Sequence, residues 1–398
     1  MKTRMVGRPL RARIGAVALV AVAAAASGCT SSRTGHGVDA RAGSRAAVAS
    51  GSTTPGATGS KAPTTRHAPV FAIYYLWWDH HHWTSHLGSA YPVTAPAPPL
   101  PATLDASGCG TVNRFAGNVE TDISPGLAYD QDNPATIVRD VRLAAAAGLA
   151  GFIVNWVGSG AAVQSPTSTS LNRRLGYVFA AVHQVNAAGT PFRIILNYQS
   201  SARHLTPAQF TNDFAYYLSR YGDDPALDHT FSPRPEVVMA GTWKYSDADL
   251  AAVSRAMRSR MYLLGDEKPS TWDAAREQYL DGTSYYWSSQ NPVRNSTSFA
   301  TLQRFAAKVR AVRNPDGHAK TWLAPFTPGY NAMLLYGTKT CVPRDDGRTL
   351  RTLFDGNASS HPDGWTLISW NEITEGTYVV PLTRYGSTYV DDLTALLR

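Results

Sequence analysis

The chain has 398 residues, of which 43% are hydrophobic and 17% charged. This much apolar material can form one large core, which excludes a chain that is disordered throughout. The formal net charge is +8, but residues 1–66 hold ten of the 37 Lys and Arg residues and one of the 29 Asp and Glu residues. Residues 67–398 therefore carry 27 basic and 28 acidic side chains, and we expect no nucleic-acid partner.

The first 28 residues have the organisation of an export signal. MKTRMVGRPLRAR is a positive segment, and IGAVALVAVAAAASG is an apolar run too short for a confident membrane span. Cys29 follows ASG as in a bacterial lipobox, although Ala26 stands where Leu is usual. We predict a lipoprotein-type signal peptide over 1–28 and lipidation of Cys29, with simple cleavage as the alternative. The protein would then be held on the outer face of the bacterial cell membrane by its lipid anchor alone, or be secreted.

Residues 29–66 are rich in Ser, Thr, Gly and Ala, with scattered Arg. This composition cannot bury a core, so it predicts a disordered tether. We expect residues 67–398 to form one domain and the protein to be a monomer.

In this domain, apolar runs rich in β-branched and aromatic residues alternate with helical patterns. The predicted strands are 70–78, 151–157, 192–199, 236–243, 261–267, 283–289, 321–326 and 365–371. The predicted helices are 134–147, 171–187, 207–220, 247–258, 272–280, 298–312, 349–354 and 388–397. Such alternation predicts an α/β fold with parallel strands and right-handed crossovers, and eight strands fit a (β/α)8 TIM barrel.

A long insert, from Asp79 to Asp132, separates the first strand from its helix. In a barrel this loop lies on the active-site face, so it should help to form a substrate cleft. The insert contains Cys109, and only Cys341 remains as a partner if Cys29 is lipidated. An exported chain with two remaining cysteines predicts a Cys109–Cys341 disulfide.

Barrel enzymes keep their chemistry at the carboxyl ends of the strands. Aromatic, amide and acidic side chains collect there, a combination suited to the C–H faces and hydroxyls of a sugar. The candidate substrate-binding residues are Trp77, Trp78, Asn155, Trp156, Asn197, Tyr198, Trp243, Asp266, Glu267, Trp287, Tyr330, Trp370 and Asn371. Core filling is the alternative for the tryptophans, including Trp83, and it is the preferred role of Tyr74, Tyr75, Trp322 and Trp365 inside the runs.

The stretch WNEITEG places Glu372 and Glu375 three residues apart after the last strand. Glycosidic-bond hydrolysis needs one carboxylic acid to protonate the leaving oxygen and a second carboxylate on the other side of the reaction. These glutamates are the candidate catalytic residues. A solvated or ion-paired surface pair is the alternative.

Asp266 and Glu267 form a rival carboxylate pair. Neighbours in a strand point to opposite sides, so only one of them can face the cleft, where it would bind a substrate hydroxyl. Lys268 could pair with the other.

The run DHHHWTSH raises the possibility of a metal site. His80 and His82 share a side of an extended chain, but no partner follows at a telling spacing. Sugar contacts or ordinary loop histidines are the alternatives, and we expect neither a metal nor a cofactor.

The stretch WNEITEGT resembles the eighth-strand signature of glycoside hydrolase family 99 and the related family 71. The matching residues are Asn371, Glu372, Glu375, Gly376 and Thr377. As an order of motifs the resemblance covers roughly residues 70–390. The family usually has Trp-His between the two glutamates, where this chain has Ile373 and Thr374.

The resemblance implies a retaining glycosidase that uses the 2-hydroxyl of the sugar as nucleophile, through a 1,2-anhydro intermediate. Glu372 would deprotonate this hydroxyl and Glu375 would be the general acid. The implied substrates are α-mannosides, or α-glucans as in related barrels. The long loop and many aromatics favour endo action on a polysaccharide or oligosaccharide. The alternatives are a non-catalytic surface carbohydrate-binding barrel and, disfavoured by the export signal, a sugar transferase.

Overall fold

A computed structural model describes residues 67–87, 109, 129–160, 166–199, 205–289, 291, 295, 297–331, 340–382 and 385–398. The signal peptide, the lipidation of Cys29 and the tether lie outside these ranges. No helix in the described part of the chain is long and apolar enough to span a bilayer.

Eight parallel strands close into a barrel in the order β1-β10-β7-β6-β5-β4-β3-β2. These strands are β1 (Val70–Tyr74), β2 (Gly151–Trp156), β3 (Arg193–Tyr198), β4 (Glu236–Met239), β5 (Tyr262–Gly265), β6 (Gly282–Ser284), β7 (Thr321–Phe326) and β10 (Gly364–Leu367). Two short antiparallel strands, β8 (Tyr330–Asn331) and β9 (Cys341–Val342), form a separate ribbon. The predicted barrel and its eight strands are confirmed.

Helices follow the strands and cover the outside of the barrel. They are α1 (His80–Leu87), α2 (Pro134–Ala146), α3 (Pro166–Ala187), α4 (Pro207–Tyr221), α5 (Asp247–Met257), α6 (Ala274–Glu277), α7 (Ser298–Ala311), α8 (Arg348–Asn357) and α9 (Thr388–Leu397). Local sequence sets their starts: Thr206 and Gln209 form a capping box at α4, and Asn133 caps α2 ahead of Pro134.

Helix α1 lies inside the insert that the sequence analysis treated as a loop. Its pattern is weakly amphipathic, so periodicity could not reveal it. The helix depends instead on a cap and on packing. The Asp79 carboxylate accepts the backbone N–H of His82 at 2.6 Å, and Trp83 is buried with its ring centroid 4.8 Å from that of Trp78.

Each barrel strand is buried on both faces, and its side chains alternate between two cores. Phe71, Ile73 and Tyr75 point into the barrel, where they join an inner cluster. Ala72 and Tyr74 point outward into a larger cluster under the helices. This alternation decides which side chains at the strand ends can face a cleft.

The sulfurs of Cys109 and Cys341 form the disulfide predicted from the sequence. The bond ties the long insert after β1 to β9, across a sequence separation of 232 residues. It therefore fastens two segments that follow β1 and β7 on the carboxyl-end face.

A groove of about 820 Å³ lies at the opposite end of the barrel, beside the first residues of β5 and β7. Three of its charged side chains form one ion-pair group, since Arg258 Nε lies 2.8 Å from Asp281 and Arg234 lies 3.8 Å from the same carboxylate. This end of a TIM barrel serves stability, and the groove is far from the predicted chemistry.

Glu236 at the start of β4 should make stability depend on pH. Burial, and next the charge of Asp228, raise the pKa of Glu236 to about 9. The folded protein therefore holds a proton that the unfolded chain releases near pH 4.5, so this group contributes stability at low pH that is lost as the pH rises toward 9. The contribution of this group to the free energy of unfolding falls by about 1.4 kcal/mol per pH unit between pH 4.5 and pH 9.

We expect Glu236→Gln to reduce the fall in melting temperature between pH 5 and pH 8. The amide oxygen can keep the 2.7 Å hydrogen bond from the Phe231 N–H. Asp223→Asn, at an exposed turn, is the control that removes a carboxylate without this burial. An unchanged pH dependence in Glu236→Gln would contradict the prediction.

Candidate active site

The loop after β10 carries the two glutamates and is closed by its own hydrogen bonds. The Ser369 N–H donates to the Thr377 carbonyl at 2.9 Å, and the Ser369 hydroxyl accepts the Glu372 N–H at 2.7 Å. Gly376 has φ of +63°, a conformation that favours glycine. The Asn331 N–H donates to the Glu375 carbonyl at 2.8 Å, which joins the loop to β8. Both carboxylates are therefore held on a rigid turn at the mouth of the barrel.

Glu372 is buried and hydrogen-bonded within the same turn. Its Oε1 accepts the Thr374 hydroxyl at 2.5 Å and the Thr374 N–H at 3.2 Å. Thr374, which lies between the two glutamates in the sequence, therefore orients the carboxylate of Glu372. Ile373 is fully buried in the outer cluster, which anchors the turn.

Glu375 lies in a group of tyrosines. The Tyr286 hydroxyl donates to Glu375 Oε2 at 3.2 Å, and the Tyr75 hydroxyl donates to the Tyr286 oxygen at 3.1 Å. Burial raises the pKa of Tyr330, and the charges of Glu375 and Glu372 raise it further. Burial, and next the charge of Glu375, also raise the pKa of Tyr286. These phenols therefore stay neutral near the carboxylates.

The negative charge of Glu375 acts on Glu372. Burial raises the pKa of Glu372 to about 8, and the negative charge of Glu375 is the next cause, while hydrogen bonds from Thr374 oppose the shift. Because the groups interact, the titration of each one depends on the charge of the other. The raised pKa favours the protonated form of Glu372 at neutral pH, beside a second carboxyl group in the same site.

Asn371 does not face the cleft, contrary to the sequence-based prediction. It is fully buried, and its side chain accepts the Tyr75 N–H at 2.8 Å and donates to the Tyr75 carbonyl at 2.9 Å. Its amide also donates to the Tyr129 hydroxyl at 3.1 Å. Asn371 therefore clamps the glutamate turn to the end of β1 and positions the catalytic candidates indirectly.

Two predicted amides lie on the inner side of the barrel mouth. Asn197 donates to Asn155 Oδ1 at 3.2 Å, and Asn155 donates to Gln199 Oε1 at 2.6 Å. Asn197 Oδ1 is buried without a hydrogen-bond partner among the described residues. Trp77 is half-buried with its ring centroid 4.3 Å from that of Tyr75. These groups remain candidates for sugar contacts.

Several predicted sugar platforms are instead part of the outer core. These residues are completely buried between strands and helices: Trp78, Trp83, Trp156, Tyr198 and Trp370. Trp156 donates to Asn172 at 2.8 Å and the Tyr198 hydroxyl donates to Asp213 at 2.5 Å. All five side chains pack in the outer cluster, so the prediction was wrong for them and core filling is correct.

The pair Asp266 and Glu267 divides as strand alternation requires. Asp266 accepts the N–H groups of Gly241 at 2.9 Å and Tyr286 at 3.1 Å, and burial raises its pKa to about 6. Glu267 is fully buried on the other side and forms an ion pair with Arg276 at 3.2 Å. Glu267 is therefore structural, which corrects its assignment to substrate binding.

Trp243 and Trp287 are half-buried near the same end of the barrel. Lys268 Nζ lies 3.4 Å from the Trp243 ring centroid, so one face of this predicted platform is already covered. Trp287 packs against the outer cluster, with its ring centroid 5.6 Å from that of Tyr285.

Sequence reasoning missed Tyr286, which donates to Glu375, and Tyr75, which donates to Tyr286. Tyr75 was assigned to the core, and Trp287 was chosen instead of its neighbour Tyr286. The alternation of side chains along each strand could have identified both residues. Tyr75 lies two residues after Ile73 and therefore points into the barrel as Ile73 does. Tyr286 also points into the barrel, while its neighbours Tyr285 and Trp287 point outward.

No three His, Cys, Asp or Glu side chains converge on a possible metal position within the described ranges. The imidazole of His82 instead lies against aromatic rings, with its centroid 4.7 Å from that of Trp78.

Tyr286→Phe tests the link between the tyrosines and the carboxylate pair. Losing one donor favours the protonated pair, so the alkaline limb of the pH–rate profile should move to higher pH while kcat falls about tenfold. Tyr285→Phe is a matched control, since its ring points outward against Phe305 at 5.7 Å. Equal profiles for the two variants would show that Tyr286 has no special role.

No protein-family model and no curated protein sequence matches the chain. Solved structures do match its fold. Two structures of the family 99 endo-α-mannosidase from Bacteroides thetaiotaomicron align at a TM-score of 0.59, with 16% and 17% identity, covering 82% of this chain and 95% and 96% of theirs. A glycoside hydrolase-like protein aligns at a TM-score of 0.58, with 12% identity and coverage of 86% and 98%. The chain therefore shares the barrel fold of family 99 endo-α-mannosidases.

Proposed function

We propose that this protein is a retaining, endo-acting glycoside hydrolase of α-linked polysaccharides, and that Glu372 and Glu375 carry the reaction. The single observation behind the proposal is a pair of buried glutamates whose charges interact, held on the turn after the last barrel strand. A carbohydrate-binding protein would not need two interacting carboxylates beside neutral tyrosines. The structurally similar endo-α-mannosidases support an α-mannan as substrate, and an α-glucan is the second choice.

In the proposed reaction, Glu372 takes the proton of the sugar 2-hydroxyl. That oxygen attacks the anomeric carbon and the bond to the leaving oxygen breaks. Glu375 donates its proton to the leaving oxygen. Water then opens the 1,2-anhydro ring with the two roles reversed, so the anomeric configuration is retained.

The raised pKa of Glu372 favours its protonated form, whereas these roles place the proton on Glu375. Moving the proton from Glu372 to Glu375 leaves the total charge of the two groups unchanged. Two hydrogen bonds from Thr374 stabilise ionised Glu372. The hydrogen bond from Tyr286 to Glu375 remains available after the proton has left.

The proposed location is the outer face of the cell membrane, through lipidated Cys29, or the medium. This part of the proposal depends on the sequence of residues 1–29 alone. Export would place the enzyme beside polysaccharides that cannot enter the cell.

Incubation with α-mannan and α-glucan, with chromatography of the products, tests the function. Endo action predicts oligosaccharides of mixed length, and retention predicts that the first product has the anomeric configuration of the substrate. The Glu372→Gln/Glu375→Gln double variant is the control for contaminating activity. Binding of the polysaccharide without cleavage would favour the non-catalytic binding alternative.

A further inference from the structure

Two lysines lie on one tryptophan at the carboxyl ends of β4 and β5. Nζ of Lys268 is 3.4 Å from the Trp243 ring centroid, and Nζ of Lys244 is 5.0 Å from it. The two strands are neighbours, with Met239 opposite Gly265. These three side chains form what we call the lysine-tryptophan cluster. It lies on the same face of the barrel as the glutamate pair.

The positive charge of this cluster is not neutralised by the described residues. Neither lysine forms an ion pair with a described carboxylate, and the nearby carboxylates are engaged elsewhere. Asp266 accepts two backbone N–H groups, from Gly241 and Tyr286. Glu267 and Asp247 both pair with Arg276. Two positive charges therefore face one carboxylate, Asp266, which already accepts two backbone hydrogen bonds.

The placement is unfavourable for the protein by itself. Partial burial lowers the pKa of Lys268, and the neighbouring Lys244 lowers it further, against the attraction of Asp266. Partial burial lowers the pKa of Lys244 as well. Two like charges on one ring repel each other, and the cation–π contacts offset only part of this cost. An anion between the ammonium groups would remove the repulsion.

The cluster is also close to the proposed reaction. The Tyr286 backbone N–H donates to Asp266, and the Tyr286 hydroxyl donates to Glu375. A single tyrosine residue thus spans the distance from the Asp266 carboxylate to the catalytic pair. Asp266 acts on both lysines electrostatically, so they lie next to this span.

We infer that the lysine-tryptophan cluster binds an anionic substituent of the substrate, a carboxylate or phosphate, one or two sugar units from the bond that is cleaved. This inference rests on the proposed function and makes the substrate an acidic α-linked polysaccharide. Each ammonium group has three N–H donors that suit such an anion, and the remaining edge of Trp243 can contact the sugar ring.

Affinity electrophoresis with two matched polymer pairs tests the inference and separates the two anions. One pair is phosphorylated α-mannan and the same mannan after dephosphorylation. The other is polygalacturonate, an α-linked uronate, and its carboxyl-reduced form. The protein carries Glu372→Gln so that the polymers are not cleaved. Lys244→Gln/Lys268→Gln removes both charges, Lys244→Arg/Lys268→Arg keeps them, and Lys308→Gln on the exposed face of α7 is the control.

We expect the anionic member of one pair to bind at least about tenfold more tightly than its neutral form, the effect of one charge-assisted hydrogen bond. This ratio should fall to about one in the Gln double variant, persist in the Arg double variant and the control, and decrease as salt rises. A ratio of about one in both pairs, or a ratio unchanged in the Gln double variant, overturns the inference. Near wild-type hydrolysis of polysaccharide by both Glu372→Gln and Glu375→Gln would overturn the proposed function separately.

Discussion

Glu372→Gln is expected to abolish hydrolysis of every substrate, while Glu375→Gln should slow mainly the hydrolysis of substrates with a poor leaving group. A general acid matters most when the leaving group is poor, so Glu375→Gln should lose about 10²-fold or more on a polysaccharide and much less on an activated aryl glycoside. Glu372 acts on the 2-hydroxyl, and no leaving group replaces that step. The measurement is the rate of each variant on each type of substrate.

Folding must be separated from catalysis in these variants. Both glutamates are buried, and Glu372 accepts two hydrogen bonds from Thr374. Glutamine keeps an acceptor oxygen, so the melting temperatures should stay close to that of the wild type. If both variants keep near wild-type rates, the pair is structural. The search would then move to Asp266 alone, since Glu267 is neutralised by Arg276.

Loss of the Cys109–Cys341 bond is expected to have the largest effect on stability. The bond closes a sequence separation of 232 residues. In the chain-entropy model, closing so long a loop contributes about 5 kcal/mol, less any strain in the folded protein. Cys109→Ser/Cys341→Ser should unfold at a clearly lower denaturant concentration than the oxidised wild type.

Reduction provides the matched comparison for this prediction. A reductant should destabilise the wild type to the level of the Ser double variant and should leave that variant unchanged. Mass spectrometry of an unreduced digest checks for the cross-linked peptide. Two free thiols in exported protein, or equal stabilities with and without reductant, would contradict the prediction.

At the strand ends, the sequence does not show which side chains face the cleft. In VFAIYYLWW every residue is apolar or aromatic, because parallel barrel strands are buried on both faces. No polar alternation distinguishes the inner side from the outer side in such a run. Trp77 and Trp78 were therefore equal candidates, although the structure buries Trp78 in the outer core.

The sequence by itself determined the eight-stranded barrel, because the alternation of apolar runs and helical patterns is a local property. It also determined the place of the two glutamates after the last strand and the pairing of the two cysteines, since the chain has few residues of those types. Only the tertiary structure decided which side chains meet. Asn371 clamps Tyr75 across 296 residues, and Tyr286 reaches Glu375 across 89. Such contacts depend on the closure of the barrel and on strand register, which no local pattern encodes.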